Sequence, residues 1–157
     1  DAVVRATGLA ELTALADHAL QREFPDQRQH AGFQEQVIGM AREAAQRFAR
    51  LGAEWIRVGY TQSNFNADNC LVSGGTVDYG PFGFIERYDP GWGMWISAGN
   101  HFSFMNQPVA MGKNLQMFLH SLEPLVDEKG VTELQVSSHV ILKSMILHST
   151  DLWVRTH

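Results

Sequence analysis

Asp68, Asn69 and Asp78 are the residues whose types and spacing most invite chemistry, because two carboxylates and one amide carbonyl offer hard oxygen donors within a span of eleven positions. The intervening run reads as Cys70-Leu71-Val72, a turn over Ser73-Gly74-Gly75, and Thr76-Val77-Asp78-Tyr79, which predicts two short strands about a glycine turn. With the turn centred on Ser73 and Gly74, Asn69 stands opposite Asp78 at about 5 Å; centred one residue later, the two become diagonal neighbours within roughly 8 Å. Either register lets their oxygens converge on one cation. Magnesium takes hard oxygen ligands, keeps several waters and borrows further ligands from substrate phosphates, so this donor set fits a phosphate-bound ion better than a closed protein cage. The competing structural reading is that Asp and Asn stand at strand ends for turn chemistry alone.

A loop that follows a helix, ends in a metal-binding Asn, and is succeeded by a hairpin and a second metal-binding Asp is the layout of protein-kinase active sites. Counting back from Asn69 puts Gln62 at the position of the kinase histidine and Asn64 at that of the catalytic aspartate. An amide cannot accept a substrate proton as a carboxylate can. Asp68 is the carboxylate left in the loop and becomes the candidate base, against the plain alternative of a loop Asp bonding backbone amides.

The elements that must position this loop are helical. Leu9, Leu12, Leu15, Ala16 and Leu20 recur at three- and four-residue steps and predict a helix from about Gly8 to Phe24, stopped by Pro25. Val37, Met40, Ala44, Phe48, Leu51, Trp55 and Val58 predict a long one-sided core helix, with Gly59 suited to its left-handed cap. Asn106 and Pro108 mark a third helix start, with Val109, Leu115, Phe118, Leu119 and Leu122 as its buried stripe, and a last helix is read from about Thr132 to Trp153. Met105, Met111 and Met117 read as core filler, and Trp92, Trp95, His101, Phe102 and Phe104 as aromatics packing a loop rather than a substrate platform.

Composition narrows the function classes. Net charge is -5 and the twelve Lys and Arg are scattered, which argues against a nucleic-acid surface. No apolar run approaches the roughly 18 to 20 residues of a membrane span. The seven histidines show no zinc spacing, and Cys70, the single cysteine, admits no internal disulfide; an intracellular setting fits. With 157 residues there is room for one domain or part of one.

The run Asn66-Ala67-Asp68-Asn69, the nine-residue step from Asn69 to Asp78, and Asp78-Tyr79-Gly80-Pro81-Phe82-Gly83-Phe84 resemble the selenoprotein O family. Tyr88-Asp89-Pro90-Gly91, Phe104-Met105-Asn106-Gln107-Pro108 and Leu15-Ala16-Asp17 agree as well, so the likeness covers roughly residues 15 to 124 and is less clear beyond Pro124. The resemblance implies a mainly α chain with a short β-hairpin, residues 1–157 being the C-lobe portion of a protein-kinase-like domain. It implies a magnesium-dependent protein adenylyltransferase that moves AMP from ATP to Ser, Thr or Tyr hydroxyls of proteins. By the same resemblance Asp68 is the proton acceptor, Asn69 and Asp78 hold magnesium, and Asp78 also meets the nucleotide phosphates. The compartment implied is mitochondrial in a eukaryote and cytoplasmic in a bacterium.

Gln62 and Ser63 replace a His-Gly pair common in the family. The family's glycine-rich loop, its Lys-Glu pair and its phosphate-contacting arginines would precede Asp1, so the chain alone is expected to bind ATP poorly. Cys70 does not stand in for the redox cysteine or selenocysteine of some members. Two other readings use the same residues: a kinase-like phosphotransferase, and a non-catalytic pseudokinase that only binds a partner.

Overall fold

The computed structural model describes residues 2–77, 80–95 and 99–136. Its chain is mainly helical, with one pair of short antiparallel strands. Helix α1, Ala2–Glu23, and helix α2, Phe33–Val58, are joined by a 3-10 turn over Pro25–Gln29. Only Ala16, Leu20 and Phe24, spaced by four, are buried at the α1 end of the core, whereas Leu9 and Leu15 are exposed. Among the described side chains the buried stripe of α1 is thus narrower than its leucines suggest. Burying Leu20 and Phe24 completely contributes about 2 to 3 kcal/mol each.

α2 is the spine. Val37, Met40, Ala41, Ala44, Ala45, Phe48, Trp55 and Ile56 face inward, small residues in the middle letting neighbouring elements approach. Its end is set by Gly59, whose φ of 72° is the left-handed cap conformation; its N–H bonds the Ile56 carbonyl at 3.2 Å. A side chain at Gly59 would also meet Ile85 Cγ1 at 3.0 Å.

Strand β1, Tyr60–Gln62, follows at once and pairs antiparallel with β2, Phe82–Phe84, in the register Tyr60↔Phe84, Thr61↔Gly83 and Gln62↔Phe82. Bonds from Ser63 N–H to the Pro81 carbonyl and from Ile85 N–H to the Gly59 carbonyl, both 2.9 Å, lengthen the ladder at each end. The strand pair therefore lies outside the segment read as a hairpin. Between residues 70 and 77 there is a single bridge, Cys70↔Thr76, closed by a turn in which Gly74 N–H bonds the Leu71 carbonyl at 2.9 Å. Asn69 sits in a 3-10 turn, Ala67–Asn69, rather than in a strand.

Helix α3, Gln107–Leu122, packs along α2 with Ala110, Met111, Leu115, Leu119 and Leu122 buried. Val109 and Met117, both expected inside, are exposed. Asn106 precedes α3 but does not cap it with its side chain; its Nδ2 donates to the carbonyls of Asn100 and His101 at 3.2 and 2.7 Å. A preceding 3-10 turn, Phe104–Asn106, feeds straight into the helix and takes over that role. Residues 128–136 are helical, starting earlier than expected because Asp127 Oδ1 accepts the Gly130 N–H at 2.8 Å. The remainder of the helix expected to reach Trp153 lies outside the described residues. Leu134 is buried and Arg42 of α2 meets Glu133 at 2.7 Å, which docks this stretch on the spine.

Candidate functional site

The loop from Ser63 to Cys70 leaves β1 and is tied down residue by residue. Gln62, at the end of β1, is almost fully buried; its N–H bonds Gln107 Oε1 at 2.8 Å, and its own Oε1 accepts the Tyr60 hydroxyl. Gln107 in turn donates to the carbonyls of Tyr60 and Phe104 at 2.8 and 3.2 Å, so one buried amide fixes the strand to the start of α3. Ser63 is buried and its hydroxyl accepts the Met94 N–H at 2.8 Å. The pair Gln62-Ser63 is thus structural here, bracing the loop through amide and hydroxyl bonds.

Asn64 holds no proton-accepting group, and its atoms serve the loop: Oδ1 accepts from Asn66 Nδ2 at 2.8 Å, and its carbonyl accepts from Asn69 Nδ2 at 2.7 Å. The second bond has a chemical consequence. A carbonyl can only accept, so the Asn69 amide is oriented with its nitrogen toward the Asn64 carbonyl and Oδ1 on the other side. Asn69 N–H also bonds the Asn66 carbonyl at 3.0 Å, closing the 3-10 turn on which Asp68 stands exposed. Phe65 anchors the loop from below, 2% exposed and edge-on to Trp55 with ring centroids 5.0 Å apart.

Cys70 ends the loop as a hydrogen-bonded brace. Its thiol donates to the Asn66 carbonyl at 3.2 Å and accepts from Asn114 Nδ2 at 3.1 Å. Burial pushes the thiol up to about 12, the Asn114 bond pulling it down and the Asp68 carboxylate pushing it further up. A thiol so placed stays protonated at neutral pH.

The turn beyond Cys70 is pinned against α2. Gly74 has φ 76°, and a Cβ there would lie 2.5 Å from Arg47 Cβ, so glycine is required both by conformation and by space. Arg47 bonds the Ser73 carbonyl at 3.4 Å, pairs with Glu43 and lies over the Phe24 ring at 4.5 Å. Trp55 Nε1 donates to Thr76 Oγ1 at 3.2 Å. These attachments hold the segment on the spine helix, and among the described residues its strand-like pairing is the single Cys70↔Thr76 bridge. Asp78, the other expected metal ligand, lies with Tyr79 outside the described residues.

Pro81 to Phe84 leads back along β1, and Gly83 lets Trp92 cover it, since a Cβ would meet Trp92 Cη2 at 2.4 Å. Asp89-Pro90-Gly91-Trp92 is a turn in which the Asp89 carbonyl accepts the Trp92 N–H at 3.2 Å and Asp89 Oδ1 accepts the Gly91 N–H at 2.9 Å. Bonds from Phe104 N–H to the Trp92 carbonyl and Met105 N–H to the Pro90 carbonyl sew that turn to the start of α3. Phe102 and Phe104 are buried and Trp92 is half-buried, as packing requires, while Trp95 and His101 remain exposed.

Among the described residues no three His, Cys, Asp or Glu side chains gather as a metal site, and no helix is long and apolar enough to cross a membrane. An exposed carboxylate at Asp68 beside an oriented amide oxygen at Asn69 is nonetheless the donor chemistry that a magnesium ion with phosphate ligands uses. Asn114 and Gln107, which hold this loop and its strand, were not singled out as site residues by the sequence; both are polar positions on the buried side of α3.

The site is thus a braced loop carrying an exposed carboxylate and an amide at the end of a short strand pair in a mainly helical chain. Over residues 2–143 the chain matches the family described as protein adenylyltransferase SelO, and it belongs to that family. It is 33% identical over 141 residues to the protein nucleotidyltransferase YdiU of Anoxybacillus flavithermus, covering 89% of this chain and 29% of that protein. Similarity to the protein of the same name from Brevibacillus brevis is 33% over 150 residues, covering 94% and 30%, and to that of Geobacillus kaustophilus 38% over 124 residues, covering 76% and 24%. The chain spans less than a third of the length of these curated relatives.

Proposed function

We propose that this chain carries the metal-binding and proton-accepting loop of a kinase-like adenylyltransferase that moves AMP from ATP to Ser, Thr or Tyr hydroxyls of proteins. The observation that carries the reading is the Asn64–Asn69 bond, which fixes the Asn69 amide through its nitrogen one residue from the exposed Asp68 carboxylate, in a chain of the SelO family. Relatives named protein nucleotidyltransferase support the reaction class. Asn69 and Asp78 would hold magnesium, and Asp78 would also meet the nucleotide phosphates. Bound there, the ion supplies positive charge against the phosphate oxygens.

Asp68 takes the proton of the attacking hydroxyl. The hydroxyl oxygen bonds the α-phosphorus, the bond from that phosphorus to the oxygen bridging the β-phosphate breaks, and pyrophosphate leaves with the electron pair. Asn64 cannot serve as base, because it has no carboxylate and its side chain already bonds Asn66. An intracellular setting, cytoplasmic in a bacterium or mitochondrial in a eukaryote, accords with a reaction that consumes ATP.

The test uses the complete protein with a protein acceptor and ATP labelled at either phosphorus. Label from the α-position is expected to appear in the acceptor and to fall about a hundredfold or more in Asp68→Asn and in Asp78→Ala. Transfer of γ-label instead would make the protein a phosphotransferase. α-Label persisting unchanged in Asp78→Ala would refute the site.

A further inference from the structure

Among the described residues, Asn114 of α3 is the one side chain outside the loop that hydrogen-bonds it. Its two amide hydrogens are both used: one bonds the Phe65 carbonyl at 2.8 Å and the other the Cys70 sulfur at 3.1 Å. The orientation is unambiguous, since the Phe65 carbonyl accepts only and the Cys70 S–H already points to the Asn66 carbonyl. Phe65 and Cys70 bracket the 3-10 turn that carries Asp68 and Asn69. A single amide on α3 therefore clamps both ends of the turn, whose tip at Asp68 stays exposed.

We propose that Asn114 is a positioning residue for this site, setting where the Asp68 carboxylate and the Asn69 carbonyl stand relative to the phosphates. Its catalytic consequence rests on the adenylyl-transfer reading; its structural consequence rests on the two hydrogen bonds alone. Loops that carry reacting groups need such support, because a displacement of about 1 Å can cost on the order of a hundredfold in rate. The internal bonds of the loop, Asn64 to Asn66 and Asn69 to Asn64, keep its shape but do not attach it to the helices. Phe65 packs on Trp55 of α2, and Asn114 supplies the hydrogen-bonded attachment to α3.

Three measurements on the complete protein test this with Asn114→Ala. Amide hydrogen exchange across residues 64–70 is expected to rise about tenfold while exchange in α2 stays within about twofold. Mn2+ binding, followed by water-proton relaxation, is expected to weaken about tenfold, as supporting contacts to metal ligands do. The kcat for α-label transfer is expected to fall about 10- to 100-fold with the KM for ATP moving less than about threefold. A purely structural role would lower the melting temperature and leave Mn2+ affinity and kcat near wild type at a permissive temperature. Unchanged exchange over 64–70, or raised exchange with unchanged Mn2+ affinity, overturns the proposal.

Should Asn114→Ala fail to fold, Asn114→Asp keeps the shape and replaces both donors with acceptors facing a carbonyl and a sulfur, and the same outcomes are required of it. If the wild-type protein transfers no α-label at all, the adenylyl-transfer reading fails by itself. Hydrogen exchange and Mn2+ binding then still decide whether Asn114 positions the loop.

Discussion

Asp68 and Asn69 are adjacent in sequence and yet are held in opposite ways, one exposed at the tip and the other bound back to Asn64. A single turn of backbone thus provides one exposed carboxylate and one hydrogen-bonded amide. Gly74 is a residue whose replacement tests the attachment of this region directly. Its φ of 76° disfavours any side chain, and the nearest neighbours of a new Cβ are Arg47 Cβ at 2.5 Å and the Arg47 backbone carbon at 3.0 Å, none of which can swing away. Gly74→Ala is expected to lower stability by about 2 to 4 kcal/mol, combining left-handed strain with an overlap that moves the turn off α2. A urea midpoint within error of wild type would show that the turn is free to shift. The types and spacing of Asp68, Asn69 and Asp78 were legible in the sequence because carboxylates and amides in a glycine-punctuated loop are chemically conspicuous. Asn114 was not, since a polar residue on a helix looks the same whether it faces water or a carbonyl.

At the level of elements, α2 and its glycine cap were readable from a periodic apolar stripe over some six turns, and the structure places the helix where that stripe runs. β1 and β2 were not, for physical reasons. Each has three residues, too few for a period of two to register, and their pairing depends on Gly59 and Gly83 meeting Ile85 and Trp92. The expected hairpin after Cys70 is reduced, among the described residues, to the Cys70↔Thr76 bridge, with Arg47 and Trp55 of the helix bonding Ser73 and Thr76, contacts of which local turn signals say nothing. What joins the strand pair to α3 is Gln107, 1% exposed, whose amide satisfies the Gln62 N–H and two carbonyls. Gln107→Leu keeps the volume and removes the side-chain bonds to the Gln62 N–H and the Tyr60 carbonyl, while the Phe104 carbonyl still accepts the Gln107 backbone N–H. Each buried unsatisfied group costs about 1 to 3 kcal/mol, and partial rescue by water brings the expected loss to about 3 kcal/mol. The variant should also accelerate hydrogen exchange at Gln62 more than in the middle of α2. A loss under about 1 kcal/mol would mean that the strand finds other partners.

Across the whole molecule, stability against pH should reflect two groups whose shifts push in known directions. Asp127 caps the stretch 128–136, and its carboxyl is held below the usual carboxylate range by the Gly130 N–H first and by Gln34 next. A depressed folded pKa means that the unfolded chain binds the proton first as pH falls, so this stabilisation is present above about pH 4 and is lost below it. Cys70 is displaced the other way, from 9.0 to about 12, chiefly by burial. Above pH 9 the unfolded chain releases the thiol proton while the folded chain keeps it, so stability declines as pH rises towards 12. The wild-type profile should therefore have its plateau between about pH 4 and 9, with other titrating groups adding to both flanks. Two variants separate the contributions. Asp127→Ala should be less stable than wild type at pH 7, and the gap should narrow as pH falls below 4. Cys70→Ser should follow wild type up to pH 9 and then decline less steeply, because serine does not titrate there. Denaturant midpoints of the three proteins across pH 2.5 to 11 provide the measurement. A gap for Asp127→Ala that stays constant through the acid range, or a Cys70→Ser curve parallel to wild type above pH 9, would contradict the assignment of these limbs to the cap carboxyl and the buried thiol.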